Sequence, residues 1–455
     1  MASASVLSHE AAKGRASWLQ GWGLPPVVTA PFMLFVMFII ALLYDPGALV
    51  SILAALMMIS PLWLPVILGR VFIIWWVTYV RYAFWFQQEN TLLEIQLPPE
   101  VEKSPLALDL FLSTLWNSGG EATFINRLLN GRFRMVWSLE IASNEGRVSF
   151  YIHTRKSQKD IIEARLYGQF PEAKIMEVDD YVSKVPFNLK EYSLWGCEFK
   201  KSTPDALPIK TYIDYKLDKD TKEEYKIDPI SNVVEFLGQI GKGEYLWMQI
   251  VLKARKKDEW YGFYKATDDF KGPATEDIKK TMEAAAQRFG VADVASPQKM
   301  MMSLMTEGER RRVDAIERSL SKLIFECGIR VLYLGKKENF KVSNIGGVIT
   351  IFNSFRSLEQ TREYNALGPT RGLIGYDYPW QDFHGILQDG QRRRLFFRYK
   401  HRAFFYVPYS QTPVFLNTEE LATLWHFPGS IVKTPGLTRV PSRRAEAPLN
   451  LPTMQ

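Results

Sequence analysis

Only two cysteines occur in the 455 residues, Cys197 and Cys327, with no CxxC or CxxH spacing. Neither a disulfide framework nor a zinc ribbon is therefore expected, and a reducing compartment fits the chain. Histidine is scarce as well: His9, His153, His384, His401 and His426 make up the full set, none at paired ligand spacing. HExxH and GxSxG are absent, which removes the usual zinc-hydrolase and serine-hydrolase signatures. A phosphate-binding loop is also missing. Its nearest approximation, Gly238-Gln239-Ile240-Gly241-Lys242-Gly243, places Phe236 where the first glycine belongs. No Ser or Thr follows the lysine to bind magnesium, and a helical pattern precedes the glycines where a strand is needed. The stretch reads as a glycine-rich turn. The carboxylate pairs Asp179-Asp180 and Asp268-Asp269 read as solvated strand ends or turns. The sequence thus offers no catalytic, metal-ligating or cofactor-binding residues, and the chain is read as a non-enzyme.

Charge is missing from one region in particular. Overall the chain is 47% apolar and 23% charged, an ordinary globular balance, and its length allows two or three folded units. The net charge of +7 is a small excess that by itself selects no partner. Val27–Tyr44 and Ala48–Leu68, however, contain no charged residue, and each approaches the ~20 residues a helix needs to cross hydrocarbon. Asp45-Pro46-Gly47 between them is a turn signal, so a transmembrane helical hairpin is expected. Lys13 and Arg15 before it and Arg70 and Arg81 after it place both flanks in the cytoplasm by the positive-inside tendency, hence at the inner (cytoplasmic) membrane. Val71–Phe86 is aromatic and apolar but interrupted by Arg81. It reads as an interfacial segment, with Arg70, Trp75, Trp76, Arg81 and Trp85 at the headgroups; the alternative is a third span, which would move everything downstream outside.

Beyond the membrane region the patterning is that of a soluble α+β fold. Leu92–Leu97 alternates as a strand, and Ser104-Pro105 opens a helix carrying Leu108, Phe111, Leu112, Leu115 and Trp116. Met135–Ala142 and Val148–Thr154 are expected strands around Ser143-Asn144-Glu145-Gly146. A helix with Ile161, Ile162, Leu166 and Tyr167 and a strand Lys174–Val178 follow. Hairpin, helix and strand make up most of a ferredoxin-like unit. The run Ala315–Gly335 has the same helix-into-strand texture as Ile161–Asp179, which suggests a second related unit with a helical insertion from Thr275 to Met305. The expected order is a cytoplasmic tail at 1–26, two spans at 27–68, the interfacial segment at 69–90, α+β units at 91–227 and 228–436, and a Pro-rich extended tail at 437–455.

Two features invite partners. Arg392, Arg393, Arg394, Arg398, Lys400 and Arg402 interleave with Phe396, Phe397, Tyr399, Phe404, Phe405 and Tyr406. Cations neutralise phosphates and ring faces stack bases, so single-stranded nucleic acid is one candidate and anionic lipid headgroups are another. The plainer reading is a strand pair with rings inward and basic residues outward. Near the C-terminus, Asn417-Thr418-Glu419-Glu420 is a capping-box-like start to a short helix, whose Leu421, Leu424, Trp425 and His426 are candidates for partner docking.

Several stretches also resemble a known family: Lys103-Ser104-Pro105-Leu106-Ala107, Gly120-Glu121-Ala122-Thr123, Trp137-Ser138-Leu139-Glu140, Tyr376-Asp377-Tyr378-Pro379-Trp380-Gln381-Asp382-Phe383, and Leu416 through Gly429. They are similar to an uncharacterised membrane-anchored region of bacterial type IV secretion and conjugative DNA-transfer proteins, in which it precedes a HerA/FtsK-like ATPase. This sequence contains no Walker motif, so the resemblance implies no ATP hydrolysis by it. It implies a platform for a separately encoded HerA/FtsK-like ATPase, with a homo-oligomer as a further expectation by analogy with ring-shaped motors.

Overall fold

The computed structural model describes Ile39 and residues 46–98, 103–120, 123–203, 205–219, 227–256, 258–261, 264–267, 271–288, 305–357, 363–370, 382, 385–406 and 411–429. The chain divides into two bodies, one comprising residues 1–77 with 374–391 and the other residues 78–373 with 392–455.

The first body holds most of α1, one continuous helix over Pro46–Gln87. Arg70 and Arg81 are its only charged residues, and it retains Pro61 and Pro65 in its interior. Interior prolines each remove a backbone hydrogen bond and are better tolerated in membrane helices than in soluble ones. Within α1, Met57–Gln87 is long and apolar enough to cross a membrane, and no part of its most apolar window is buried. The expected hairpin is not seen: apart from Ile39, its first arm, Val27–Tyr44, lies outside the described residues. Val71–Phe86, read as a separate interfacial segment, continues the same helix. Helical hydrogen bonding continues through Gly69-Arg70, since neither residue breaks a helix strongly enough to outweigh cooperative propagation from both sides.

The second body is built on a nine-stranded, fully antiparallel sheet. Its strands are β1 (Asn90–Gln96), β2 (Val136–Asn144), β3 (Arg147–Arg155), β4 (Lys174–Val178), β5 (Tyr192–Lys201), β6 (Glu244–Ala254), β9 (Ile324–Lys336), β10 (Leu367–Pro369) and β11 (Val414–Asn417); β7 (Asp258–Tyr261) and β8 (Tyr264–Thr267) form a separate hairpin. Spatial order is β10-β5-β9-β6-β2-β3-β1-β4, with β11 paired to the start of β9. The described helices, in chain order after α1, are α2 (Leu106–Leu115), α3 (Phe124–Leu128), α4 (Lys159–Gln169), α5 (Pro229–Gly238), α6 (Lys271–Arg288), α7 (Glu307–Ser321), α8 (Ser343–Thr350), α9 (Ile386–Lys400) and α10 (Thr418–Leu424).

This order contains the same arrangement twice. β1-α2-β2-β3-α4-β4 has strand order 4-1-3-2, that of a split β-α-β unit. β5-α5-β6-β9-α8-β10 repeats it, with β7, β8, α6 and α7 inserted before its third strand. The halves meet where β2 pairs with β6 over nine residues, from Val136↔Lys253 to Asn144↔Tyr245. Repetition was legible in the sequence, but its alignment was not. The stretch matched with α4-β4 was α7-β9, whereas α7 belongs to the insertion and β9 corresponds to β3. An amphipathic helix running into an apolar strand is too generic a pattern to set equivalence. The boundary also moves. β5, assigned from sequence to the first unit, is the first strand of the second half.

Alternation along the strands gives the sheet two unlike faces. One is apolar and covered by α2, α4, α5, α8 and α10 around a core that includes Phe111, Leu139, Phe150, Ile250, Ile329 and Trp425. The other carries a smaller apolar cluster with Tyr181, Trp247, Leu332, Leu395 and Tyr399. The Glu145-Gly146 turn between β2 and β3 has both φ values positive, 55° and 90°, as a two-residue hairpin requires. A Cβ on Gly146 would stand 2.8 Å from the Ile240 carbonyl oxygen, which links this hairpin to the glycine-rich turn before β6. We expect Gly146→Ala to cost roughly 1–3 kcal/mol, read as a lowered denaturation midpoint with an unchanged slope.

Candidate functional site

Across the face opposite the helical layer runs a row of polar side chains in register. Glu94 pairs with Tyr151, Tyr151 with Glu140, Glu140 with Gln249, Gln249 with Arg330, and Arg330 with Glu198. Glu140, Gln249 and Arg330 are fully buried. Burying so many polar groups is costly unless they find partners; those of Glu140 come from its own and the neighbouring strand, from the turn after β4 and from the residues that end α9.

The basic-aromatic stretch is a helix, α9, and not a strand pair. Leu395 and Tyr399, four residues apart, are buried, and Arg393 and Arg394 are exposed. The helix closes with the Ala403 N–H donating to the Arg398 carbonyl and the Arg402 N–H to the Tyr399 carbonyl, the two bonds of a Schellman cap. The left-handed position in that cap, usually glycine, is Arg402 at φ 51°. Its guanidinium compensates for the strained backbone. Nε and Nη2 donate to the two oxygens of Glu140 at 3.0 and 3.1 Å, Nη2 reaches Asp180 Oδ1 at 3.0 Å, and Nη1 bonds Asp180 Oδ2 and the Lys400 carbonyl. Glu140 also accepts from Ser138 Oγ at 2.7 Å, Tyr181 Oη at 2.8 Å and Gln249 Nε2 at 2.9 Å. The Tyr181 and Tyr399 hydroxyls are 2.6 Å apart. Three segments remote in sequence, β2, the turn after β4 and the end of α9, are thereby locked together.

Arg402 is therefore a structural cation and not a surface contact for an anionic partner. Asp180, read as solvated, is half of its anchorage. Arg392, Arg398 and Lys400 are half-buried on α9.

The electrostatics of this cluster suit structure better than proton transfer. Burial would raise the Glu140 pKa, but the Arg402 charge and hydrogen bonds outweigh it and hold the carboxyl at about 2. Burial, reinforced by Arg402, pushes His153 down to about 3. Tyr181 and Tyr399 are raised well above the usual phenol range, again by burial first. A general acid or base at neutral pH needs a pKa near 7, and none of these four has one.

Next to the cluster the aromatics engage cations from other strands. Phe133 lies 4.7 Å from Tyr406, 5.4 Å from Phe84 and 5.6 Å from Trp85 between ring centroids. Arg155 stands over Phe84 and Phe133, Arg81 over Tyr406, Lys253 over Phe405 and Tyr406, and Arg330 over Phe404. Gly131, at φ 60°, lets the loop carrying Phe133 close on α1: a Cβ there would fall 2.2 Å from the Val80 carbonyl oxygen. Gly328 leaves the room occupied by the Phe404 ring. Trp85, Phe133, Phe404 and Tyr406 among these rings line an open cavity of about 180 Å³. Of the expected interface residues, Arg81 and Trp85 are half-buried and line it, whereas Arg70, Trp75 and Trp76 are exposed in the first body.

The expected docking helix, α10, is a core element. Leu421, Leu424 and Trp425 are fully buried and His426 nearly so. Its capping box forms as read, with Asn417 Oδ1 accepting from the Glu420 N–H at 2.7 Å and Glu420 Oε2 from the Asn417 N–H at 3.0 Å. Glu420 Oε1 meets the buried Lys201 ammonium at 2.9 Å, and His426 contacts Asp228 at 2.9 Å. The Trp425 indole donates to the Glu140 backbone carbonyl at 3.3 Å. These four residues therefore hold the core and present no exposed docking face. The C-terminal tail at 437–455 lies outside the described residues.

No group of three or more potential metal-binding side chains occurs among the described residues. No protein-family model matches the chain, and no curated protein sequence matches it.

Three outcomes follow from the cluster. Glu140→Ala, which leaves Arg402 buried and uncompensated, is expected to cost ~3–5 kcal/mol in equilibrium unfolding. Trp425→Ala is expected to cost ~3–5 kcal/mol by cavity formation. His153 and Glu140 both have lowered folded-state pKa values, so the unfolded chain takes up protons first on acidification. His153 contributes stability that is full above pH ~6.5 and declines toward pH ~3, and Glu140 adds a further loss below pH ~4.5. His153→Gln should flatten the stability–pH profile between pH 6 and 4.5; an unchanged slope there would contradict the assignment.

Proposed function

We propose that this protein is a non-catalytic, membrane-anchored platform whose α+β body docks a separately encoded ATPase of a type IV secretion-like translocation system. The observation that carries the anchor is α1. Met57, Met58, Leu62 and Trp75 are all more than two-thirds exposed, and exposed apolar surface on that scale calls for a lipid or protein covering. At ~1.5 Å per residue, a helix of 42 residues spans ~63 Å, about twice the ~30 Å of bilayer hydrocarbon, so part of it extends beyond the bilayer. The reading keeps two spans, the first at Val27–Tyr44, with termini and body in the cytoplasm as the flanking cations favour. The translocation pathway and the HerA/FtsK-like partner rest on the sequence resemblance alone, and a homo-oligomer rests on analogy with ring-shaped motors.

The tightly paired polar cluster supports a structural role for the body, because its groups are spent on one another. A second reading, a membrane-tethered nucleic-acid-binding protein, is favoured by Arg393 and Arg394, which are exposed on α9 within one turn of the part-exposed Phe397 ring.

Affinity capture of the tagged full-length protein from native membranes, beside a form truncated after Gly436, separates the two. The platform reading expects a P-loop ATPase with the full-length protein; its loss on truncation places the contact in the tail, and its retention places it in the α+β body. Recovery of nucleic acid without an ATPase, with binding that falls steeply in salt and on Arg393→Glu/Arg394→Glu, would replace it with the tethered binder.

A further inference from the structure

The open cavity lined by these aromatic rings belongs to neither reading. Its walls come from the last turns of α1, the loop before β2, and α9 with the residues just after it, and they are mainly aromatic: Trp85, Phe133, Phe397, Phe404 and Tyr406 among them. One lining residue, Arg81, bears a formal positive charge, and no lining residue is a carboxylate. Arg81 is half-buried, lies over the Tyr406 ring and lines the cavity, so its guanidinium is the cationic part of the wall. A guanidinium on a cavity wall with no lining carboxylate to neutralise it can form charge-assisted hydrogen bonds to an anion. His401, whose pKa is lowered by burial and then by Lys400 and Arg402, adds a polar edge.

Size narrows the class. At about 180 Å³, the cavity is close to the ~150 Å³ that admits a benzene-sized group and below the ~300–1,000 Å³ of sites that engulf a whole drug-sized ligand. It suits one segment of a larger molecule whose remainder stays outside. A charge of +1 on an aromatic wall matches a single negative charge joined to a short apolar segment. A quaternary ammonium, the usual occupant of an aromatic cage, would be repelled by Arg81.

We propose that this cavity binds the phosphodiester of a net-anionic membrane phospholipid, with Arg81 contacting the phosphate and the first methylenes of one acyl chain lying against Trp85, Phe133 and Phe397. The inference rests on the membrane-anchored reading, since α1 supplies both the apolar run and the Arg81 wall. The site would fix the end of α1 to its surroundings through a specific lipid, in addition to the non-specific burial of the helix.

The test is native mass spectrometry of the detergent-solubilised full-length chain, titrated with phosphatidylglycerol, with phosphatidylcholine and with inorganic phosphate. One phosphatidylglycerol should be retained with at least about tenfold preference over phosphatidylcholine, a difference of ~1.4 kcal/mol. Arg81→Gln should abolish that preference. Phe397→Ala, a change at a part-exposed ring, should weaken retention about two- to fivefold at an unaltered unfolding temperature. Equal retention of the two lipids, or an Arg81→Gln variant that keeps the preference, overturns the proposal. Displacement of the lipid by millimolar phosphate overturns its lipid origin and assigns the pocket to a free anion. A protein that leaves membranes at high pH fails the anchor itself; one that stays in them but shows no lipid preference fails only the pocket.

Discussion

The rest of the second body depends on one guanidinium. Arg402 sits in a left-handed backbone position that disfavours a side chain, at the point where α9 ends, and is held there by Glu140 and Asp180. Glu140 is in the middle of β2, the strand that joins the two halves of the sheet. Removing the cation would leave that carboxylate buried among Ser138, Tyr181 and Gln249, which cannot neutralise it. Removing the carboxylate would leave α9 ending in a strained turn without its compensation. The same residue pair closes the helix, satisfies the polar row and positions the chain that carries Phe404, Phe405 and Tyr406 toward its cationic partners.

A fold made from two like halves explains why the central strands bear this load. In an isolated unit of strand order 4-1-3-2, the second strand is an edge with unpaired backbone groups. Here each half covers the other's edge, β2 against β6, so the most exposed strand of each half becomes the centre of the whole. Both faces of that centre are then buried. The helical layer covers one, with Trp425 reaching the Glu140 carbonyl, while α9 and the Tyr181 turn cover the other. The polar row remains because its partners are supplied from above the sheet, not from neighbouring strands alone.

Local features were legible in the sequence and long-range ones were not. The Glu145-Gly146 turn, the Asn417 capping box, strand Lys174–Val178 and the glycine-rich turn before β6 all rest on residues within a few positions of one another, and each forms nearly where expected. α9 was misread because a dense alternation of basic and aromatic residues fits a strand as readily as a helix. The decision came from Arg402 meeting Glu140, 262 positions away, and Tyr399 meeting Tyr181, 218 positions away. His426 and Trp425 were visible as a conspicuous pair, but burial depends on what packs over them, here α2 and α5. The one signal that could have exposed the site was the period-two placement of Ser138, Glu140, Gln249, Lys253, Glu326 and Arg330 in otherwise apolar strands. Polar residues recurring on one face of central strands require partners, and Arg402 and Asp180 were available to provide them.

The central functional claim is that α1 is an integral anchor and not a helix covered by protein. Alkaline carbonate extraction of native membranes containing the full-length chain addresses it directly, because high pH strips peripheral proteins and leaves spanning helices in lipid. The account predicts that the protein remains in the membrane pellet after carbonate and after high salt, and is released only by detergent. Release into the supernatant by carbonate would contradict it and make the apolar surface of α1 a protein interface.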